Sequence, residues 1–146
     1  MPWRPRRAGV LESRRIGQAM GNFDFEAGRR FLQEGEMEEA IRCFLASLDL
    51  DPGHVEGYVE LFRAYELAWS DSGDPVVLDQ MRKVAVAGLK RSPDGAQRRV
   101  LQEGLDRTEE RILAIQQAEQ EADGSRPRRL PLIAERVGPG RGRDGA

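Results

Sequence analysis

The chain holds few residues able to do chemistry. His54 is its only histidine and Cys43 its only cysteine. One imidazole and one thiol cannot supply the clustered His and Cys ligands that hold zinc, and a lone cysteine closes no intrachain disulfide. His54 follows Pro52-Gly53 at a helix entry and reads as a solvent-facing start residue. Cys43, beside Phe44, reads as a small, partly buried filler rather than a redox group. Gly138-Pro139-Gly140-Arg141-Gly142-Arg143 is glycine-rich, but it follows no strand pattern and lacks the Lys-Ser/Thr ending of a phosphate cradle. The carboxylates Glu38-Glu39 and Glu109-Glu110 are adjacent. Neighbours on a helix point about 100° apart, so neither pair can face one substrate as acid and base. No catalytic residue, metal site or cofactor is expected, and the chain does not read as an enzyme.

Arginine is the residue type that remains, and its distribution is uneven. Over the 146 residues the net charge is -2. Residues 1–20 carry five Arg against one Glu, and residues 123–146 carry six Arg against three acidic residues, so the body between them is strongly acidic. An acidic body repels phosphate, which disfavours nucleic acid as a partner despite Trp3 and the Arg-rich ends. Both ends lack apolar periodicity and read as solvated, disordered arms, with contact to the acidic body as the alternative. The basic N-terminus has no apolar core of a secretory signal, though it shares an Arg-rich, acid-poor character with mitochondrial transit peptides. A start at Met20 would leave the first 19 residues outside the protein. No apolar run approaches the ~18 residues of a membrane span, and the single thiol suits a reducing compartment, so a cytoplasmic location is expected.

The elements that must position these arginines are helices. Apolar residues recur at helical spacing in Ala40, Ile41, Phe44 and Leu48, and again in Val55, Tyr58, Leu61, Phe62 and Tyr65. Turn signals punctuate them: Gly35, Pro52-Gly53, the Ser70–Gly73 cluster, Asp74-Pro75 and Ser92-Pro93. The spacing predicts helices over 24–34, 37–50, 55–69, 75–90 and from Pro93 to Ala122. Three segments follow: a disordered basic arm over 1–20, an all-α domain over 21–122 and a disordered basic tail over 123–146. The tail's only apolar patch, Leu130–Ala134, could dock elsewhere.

The first hairpin repeats a known pattern. Ala27-Gly28, Phe31, Gly35, Ala40, Phe44 and Pro52 stand at the spacing of a tetratricopeptide (TPR) repeat of about 34 residues, which the chain resembles. Gly28 and Ala40 let two helices approach, Phe31 and Phe44 fill the space beside them, and Pro52 ends the second helix. Asp24 departs from the Trp usual at its position. In a second unit, Tyr58, Leu61 and Tyr65 stand 34 residues after Asp24, Ala27 and Phe31, but Phe62 replaces the small residue. Counted back from Pro93, Met81 and Ala85 take the places of Ala40 and Phe44, and Pro93 lies 41 residues after Pro52. The seven extra residues lengthen the helices or their turn, and Phe62 with Met81 predicts splayed helices. A third echo pairs Arg29–Gly35 with Arg98–Gly104 at an offset of 69, with one mismatch. Beyond it the apolar stripe Leu101, Leu105, Ile112 and Ile115 favours one long capping helix over another hairpin.

The resemblance implies a right-handed stack of antiparallel helix pairs, with repeat one over 21–54, a divergent repeat two over 55–93, and a capping helix or partial third repeat over 94–122. It further implies a concave groove, lined by the first helix of each pair, that binds an extended peptide or a partner protein. The implied lining is Asn22, Phe25, Arg29 and Leu32 from the first unit, Glu56, Val59, Arg63 and Glu66 from the second, and Arg98 from the third. Arg29, Arg63 and Arg98 would form a row suited to bidentate capture of carboxylates, with Phe25 and Val59 as an apolar footing. The expected ligand is an acidic, partly apolar segment, and the expected role an adaptor or small chaperone. TPR domains that clamp chaperone C-termini use Lys and Asn where this chain has Phe25 and Arg29, which disfavours that role. The alternative is an assembly subunit that homodimerises through Leu101, Leu105, Ile112 and Ile115 as a short coiled-coil seam.

Overall fold

The computed structural model describes residues 10–91 and 93–124, and all regular structure among them is helical. Five helices follow one another: α1 (Val10–Gln33), α2 (Met37–Leu50), α3 (Val55–Ser72), α4 (Pro75–Leu89) and α5 (Gly95–Gly124). Trp3, most of the tail and its Leu130–Ala134 patch lie outside the described residues.

Turn chemistry sets the boundaries. Gly35 and Gly73 adopt positive φ, 80° and 63°, which glycine accepts without steric cost as each hairpin reverses. The Asp74 carboxylate accepts from the Val76 amide at 3.0 Å and Pro75 opens α4, as the Asp-Pro signal predicted. The start of α5 differs from the Ser92-Pro93 expectation. Asp94 accepts from the Gln97 amide at 2.8 Å, and the Gln97 side chain accepts in return from the Asp94 amide at 3.1 Å. This capping box places the helix start two residues later, at Gly95, with Pro93 buried before it.

Close approach of small residues to large ones aligns the helices. A Cβ on Gly28 would lie 2.7 Å from the Phe44 ring, so the α1 backbone rests directly against that ring. About two and three turns earlier in α1, Gly21 accepts from the buried Ser47 hydroxyl at 2.7 Å, and Gly17 meets the Leu50 carbonyl. These contacts run in opposite order along the two chains, so α1 and α2 are antiparallel. Gly88 of α4 meets Tyr58 of α3, which pairs those helices antiparallel about the Gly73 turn. Leu78, Met81 and Ala85 of α4 are fully buried, whereas Val76 is exposed. Met81 and Ala85 thus occupy core positions as expected, and Leu78 rather than Val76 completes the face.

One expectation is corrected and another is made specific. α1 begins at Val10 and not near Asp24, so residues 10–20 are helical and not a disordered arm. Gly17 and Gly21 explain the extension, because both lie against the end of α2. The seven extra residues of the second hairpin divide between its helices. The turn glycines are 38 residues apart, so four residues lengthen α3 by about one turn, and the other three fall after Gly73.

The first part of α5, up to Glu109, packs on α3 and α4. A Cβ on Gly104 would lie 2.7 Å from the Phe62 ring, and Leu101 sits against Gly88. Gln97 donates to Glu56 at 3.1 Å and Arg107 to Glu66 at 3.3 Å. Both pairs are 41 residues apart, so α5 runs parallel to α3 in the register set by Pro52 and Pro93. Phe62 fills the space left by Gly104 in the next helix. Residues 110–124 form a second compact unit, the charged end of α5, in which Ile112 and Ile115 are half-buried and Leu113 is exposed.

Replacing Gly28 by Leu should lower stability by ~1–3 kcal/mol, because Phe44 is fully buried and cannot yield. Thermal melts followed by circular dichroism check this, and an unchanged midpoint would contradict the close contact.

Candidate functional site

Glu56, Glu60, Arg63 and Leu67 follow one another on α3 at steps of four, three and four residues; of these Arg63 and Leu67 are exposed, Glu56 is half-buried and Glu60 is buried. Arg63 stands between buried and exposed charge. Its guanidinium lies 3.3 Å from a Glu60 carboxylate whose side chain is only 9% exposed, while its own is 55% exposed. A carboxylate that deep depends on its partner, so Arg63 also has a structural duty. Leu67 is 43% exposed one turn further along, an apolar residue beside the arginine.

On α1 the equivalent side shows Asn22 and Arg29, both exposed. Arg29 sits 3.9 Å from the exposed carboxylate of Glu26 and 5.7 Å from the centre of the Phe25 ring. Such an exposed pair contributes ~0–1 kcal/mol, so an incoming carboxylate can displace it.

The expected apolar footing is not on the surface. Phe25 and Val59 are each 5% exposed. Phe25 packs on Phe44 at 5.8 Å between ring centres and meets His54 edge-on at 4.6 Å. Phe25 thus faces the helices that follow it instead of solvent, and Val59 is likewise buried. His54 is correspondingly half-buried against Phe25 and not the solvent-facing start residue the sequence suggested. Leu32 is half-buried. Glu56 and Glu66 are partly buried and engaged by Gln97 and Arg107 of α5.

Arg98 does not join the row. The 41-residue register puts Gly104, and not Arg98, level with Arg63. Arg98 and Arg107 are nine residues apart, which is about 180° around a helix. Since Arg107 reaches Glu66 beside the open face of α3, Arg98 points to the opposite flank of α5. Arg107 takes the place the sequence reading gave to Arg98. The echo of Arg29–Gly35 in Arg98–Gly104 hides two different roles: Gly35 is a left-handed turn, whereas Gly104 is a helical contact under Phe62.

A second charged surface was not anticipated. Arg82, Lys83, Val86, Ala87, Lys90 and Arg91 line an open groove of about 520 Å³ along α4. Asp79 engages two of its cations, Arg82 at 2.6 Å and Lys83 at 3.1 Å, and those hydrogen bonds hold its carboxyl below the ordinary carboxylate range. The signal was present as basic residues at one-turn and two-turn intervals around Val86.

No protein-family model matches the chain, and no curated protein is significantly similar to it. Among the described residues no group of three or more His, Cys, Asp or Glu is placed to hold a metal ion, and no helix is long and apolar enough to cross a membrane.

Cys43 can be tested on its own. Burial, followed by the negative charge of Asp24, raises its thiol pKa, against smaller opposing effects of Arg30 and Arg42. A raised pKa leaves less thiolate at neutral pH, and thiolate is the reactive form. Native protein should therefore react more slowly with a disulfide reagent than the same chain in urea. Equal rates would contradict a shielded, inert thiol.

Proposed function

We propose that this chain is a TPR-like protein-interaction module, a right-handed stack of helix pairs that binds an acidic peptide segment of another protein. In this reading the groove runs across α1, α3 and the first part of α5. Its working residues are Asn22, Arg29, Arg63, Leu67 and Arg107. The observation that carries the reading is that Arg63 and Leu67, one turn apart, are the exposed residues in the largely buried stretch from Gly57 to Trp69 of α3, with Arg29 exposed on α1. Guanidinium groups capture carboxylates in bidentate geometry, and Leu67 offers the apolar contact that Phe25 and Val59 cannot. The packing of Gly28, Ala40 and Phe44 supports the family resemblance, since each does what the repeat requires of it. An adaptor or small chaperone role in the cytoplasm is consistent with such a groove.

The structure changes how the groove is best probed. Arg63→Glu would place a second carboxylate beside the buried Glu60, so it should lower stability as well as binding. Arg29→Glu is the cleaner variant, because its partner is exposed and loosely held. Selection from a random peptide library on the full chain should enrich acidic sequences containing leucine or an aromatic residue. Arg29→Glu should weaken those peptides about tenfold or more with an unchanged melting temperature, and added salt should weaken them further. Enrichment of basic or purely apolar peptides, or full binding by Arg29→Glu, would contradict the reading.

A further inference from the structure

The two ends of the helical stack are finished differently. A stack of helix pairs needs a polar outer face at each end, because its last helix has no neighbour to cover it. On α5, Gln102, Glu103, Asp106 and Glu109 are exposed and supply that face. On α1 the outer face is apolar. Ile16 is 60% exposed, Met20 54% and Phe23 74%. With Ala27 they recur at steps of four, three and four residues, which sets them on one line along the helix. That line lies about 120° around the helix from Gly21 and Gly28, which meet α2, and roughly opposite Phe25, which meets His54. Among the described residues, the contacts that hold α1 in the fold are made by Gly17, Gly21, Phe25 and Gly28, while Ile16, Met20 and Phe23 are exposed and Ala27 is half-buried. A long exposed seam of this spacing is the pattern of a helix that pairs with another helix.

The charges beside the seam select its occupant. Glu12, Arg15, Glu26 and Arg30 share one flank of α1. When two antiparallel helices pair, like flanks come together. A two-fold axis between Met20 and Phe23 sets Met20 level with Phe23 of the second copy, and Ile16 level with Ala27. Glu12 then falls within one residue rise, ~1.5 Å, of the level of Arg30 of the second copy, and Arg15 within two rises of Glu26. Opposite charges meet four times, and the apolar residues interleave between them. A parallel pairing would set every charge level with its own copy.

We propose that two copies of the chain associate through α1, antiparallel, along Ile16, Met20, Phe23 and Ala27. The dimer is distinct from one built on the last helix, and it requires no ligand in the arginine groove. It leaves Arg29 and Asn22 of each copy on the neighbouring flank, so one dimer presents two grooves.

Sedimentation equilibrium on the full chain tests the proposal, with circular dichroism to confirm folding. The parent should be a dimer in the micromolar range. Phe23→Glu should raise the dissociation constant about tenfold or more without altering the helical spectrum, since Phe23 supports nothing inside its own copy. Glu12→Arg should weaken the dimer, and Glu12→Arg with Arg30→Glu should restore it, which only the antiparallel arrangement predicts. Ile112→Ser with Ile115→Ser should leave it intact. A monomeric parent, a dimer indifferent to Phe23→Glu, a charge swap that fails to rescue, or a dimer lost on changing Ile112 and Ile115 would each overturn the proposal.

Discussion

The fold depends on the contact between a glycine backbone and an immobile ring. Gly28 lies against Phe44, and Gly104 lies against Phe62, each at a distance that no side chain on the glycine could share. Gly57 against Leu48 and Gly88 against Tyr58 and Leu101 extend the same device to the seams between them. Glycine inside a helix costs about 1 kcal/mol relative to alanine. The cost is offset because the helices approach closely enough for a ring to be enclosed, with dispersion contacts over its whole face. Phe44 is fully buried and Phe62 nearly so, and both fix where their helices can slide.

That fixed position decides the electrostatics. Once Phe62 is seated under Gly104, Glu56 meets Gln97 and Glu66 meets Arg107. Arg107 is thereby drawn to the open side of α3 and Arg98 is turned away from it. The charged face formed by Arg63, Glu66 and Arg107 is a consequence of the apolar packing of α3 on α5. Glu60 shows the same dependence in reverse, since its burial within α3 ties Arg63 to it and limits how freely that arginine can serve a partner.

Most of the architecture was legible because local rules agree with the tertiary structure. Helix two was read at its true bounds, Met37–Leu50, since Gly35 and Pro52 bracket it. Gly28, Ala40, Phe44, Met81 and Ala85 were read as contact residues and are. Other readings failed for physical reasons. Residues 10–20 have no inward apolar stripe; Gly17 and the adjoining Gly21 face α2, and glycine carries little hydrophobic signal. Phe25 and Val59 looked like groove residues because spacing within one helix cannot show that a second neighbour covers that side. Arg98 was misplaced because a repeated heptapeptide suggested an offset of 69, while the Pro52–Pro93 spacing of 41 sets the true register of α5 on α3. Arg107 was overlooked because only that register brings it to the side of α3 holding Arg63, whereas Leu67, one turn beyond Arg63 on the same helix, was legible and was missed.

A glycine seated under a ring sets this register, and a double-mutant cycle at Gly104 and Phe62 measures that contact. In the parent, Gly104→Ala should lower the melting temperature, because the added methyl enters the Phe62 ring. With Phe62→Leu the ring atoms nearest that methyl are gone, and the same Gly104→Ala should become neutral or stabilising through its better helix propensity. A cost for Gly104→Ala that is the same in both backgrounds would show that the two residues do not meet, and the placement of α5 on α3 would be wrong.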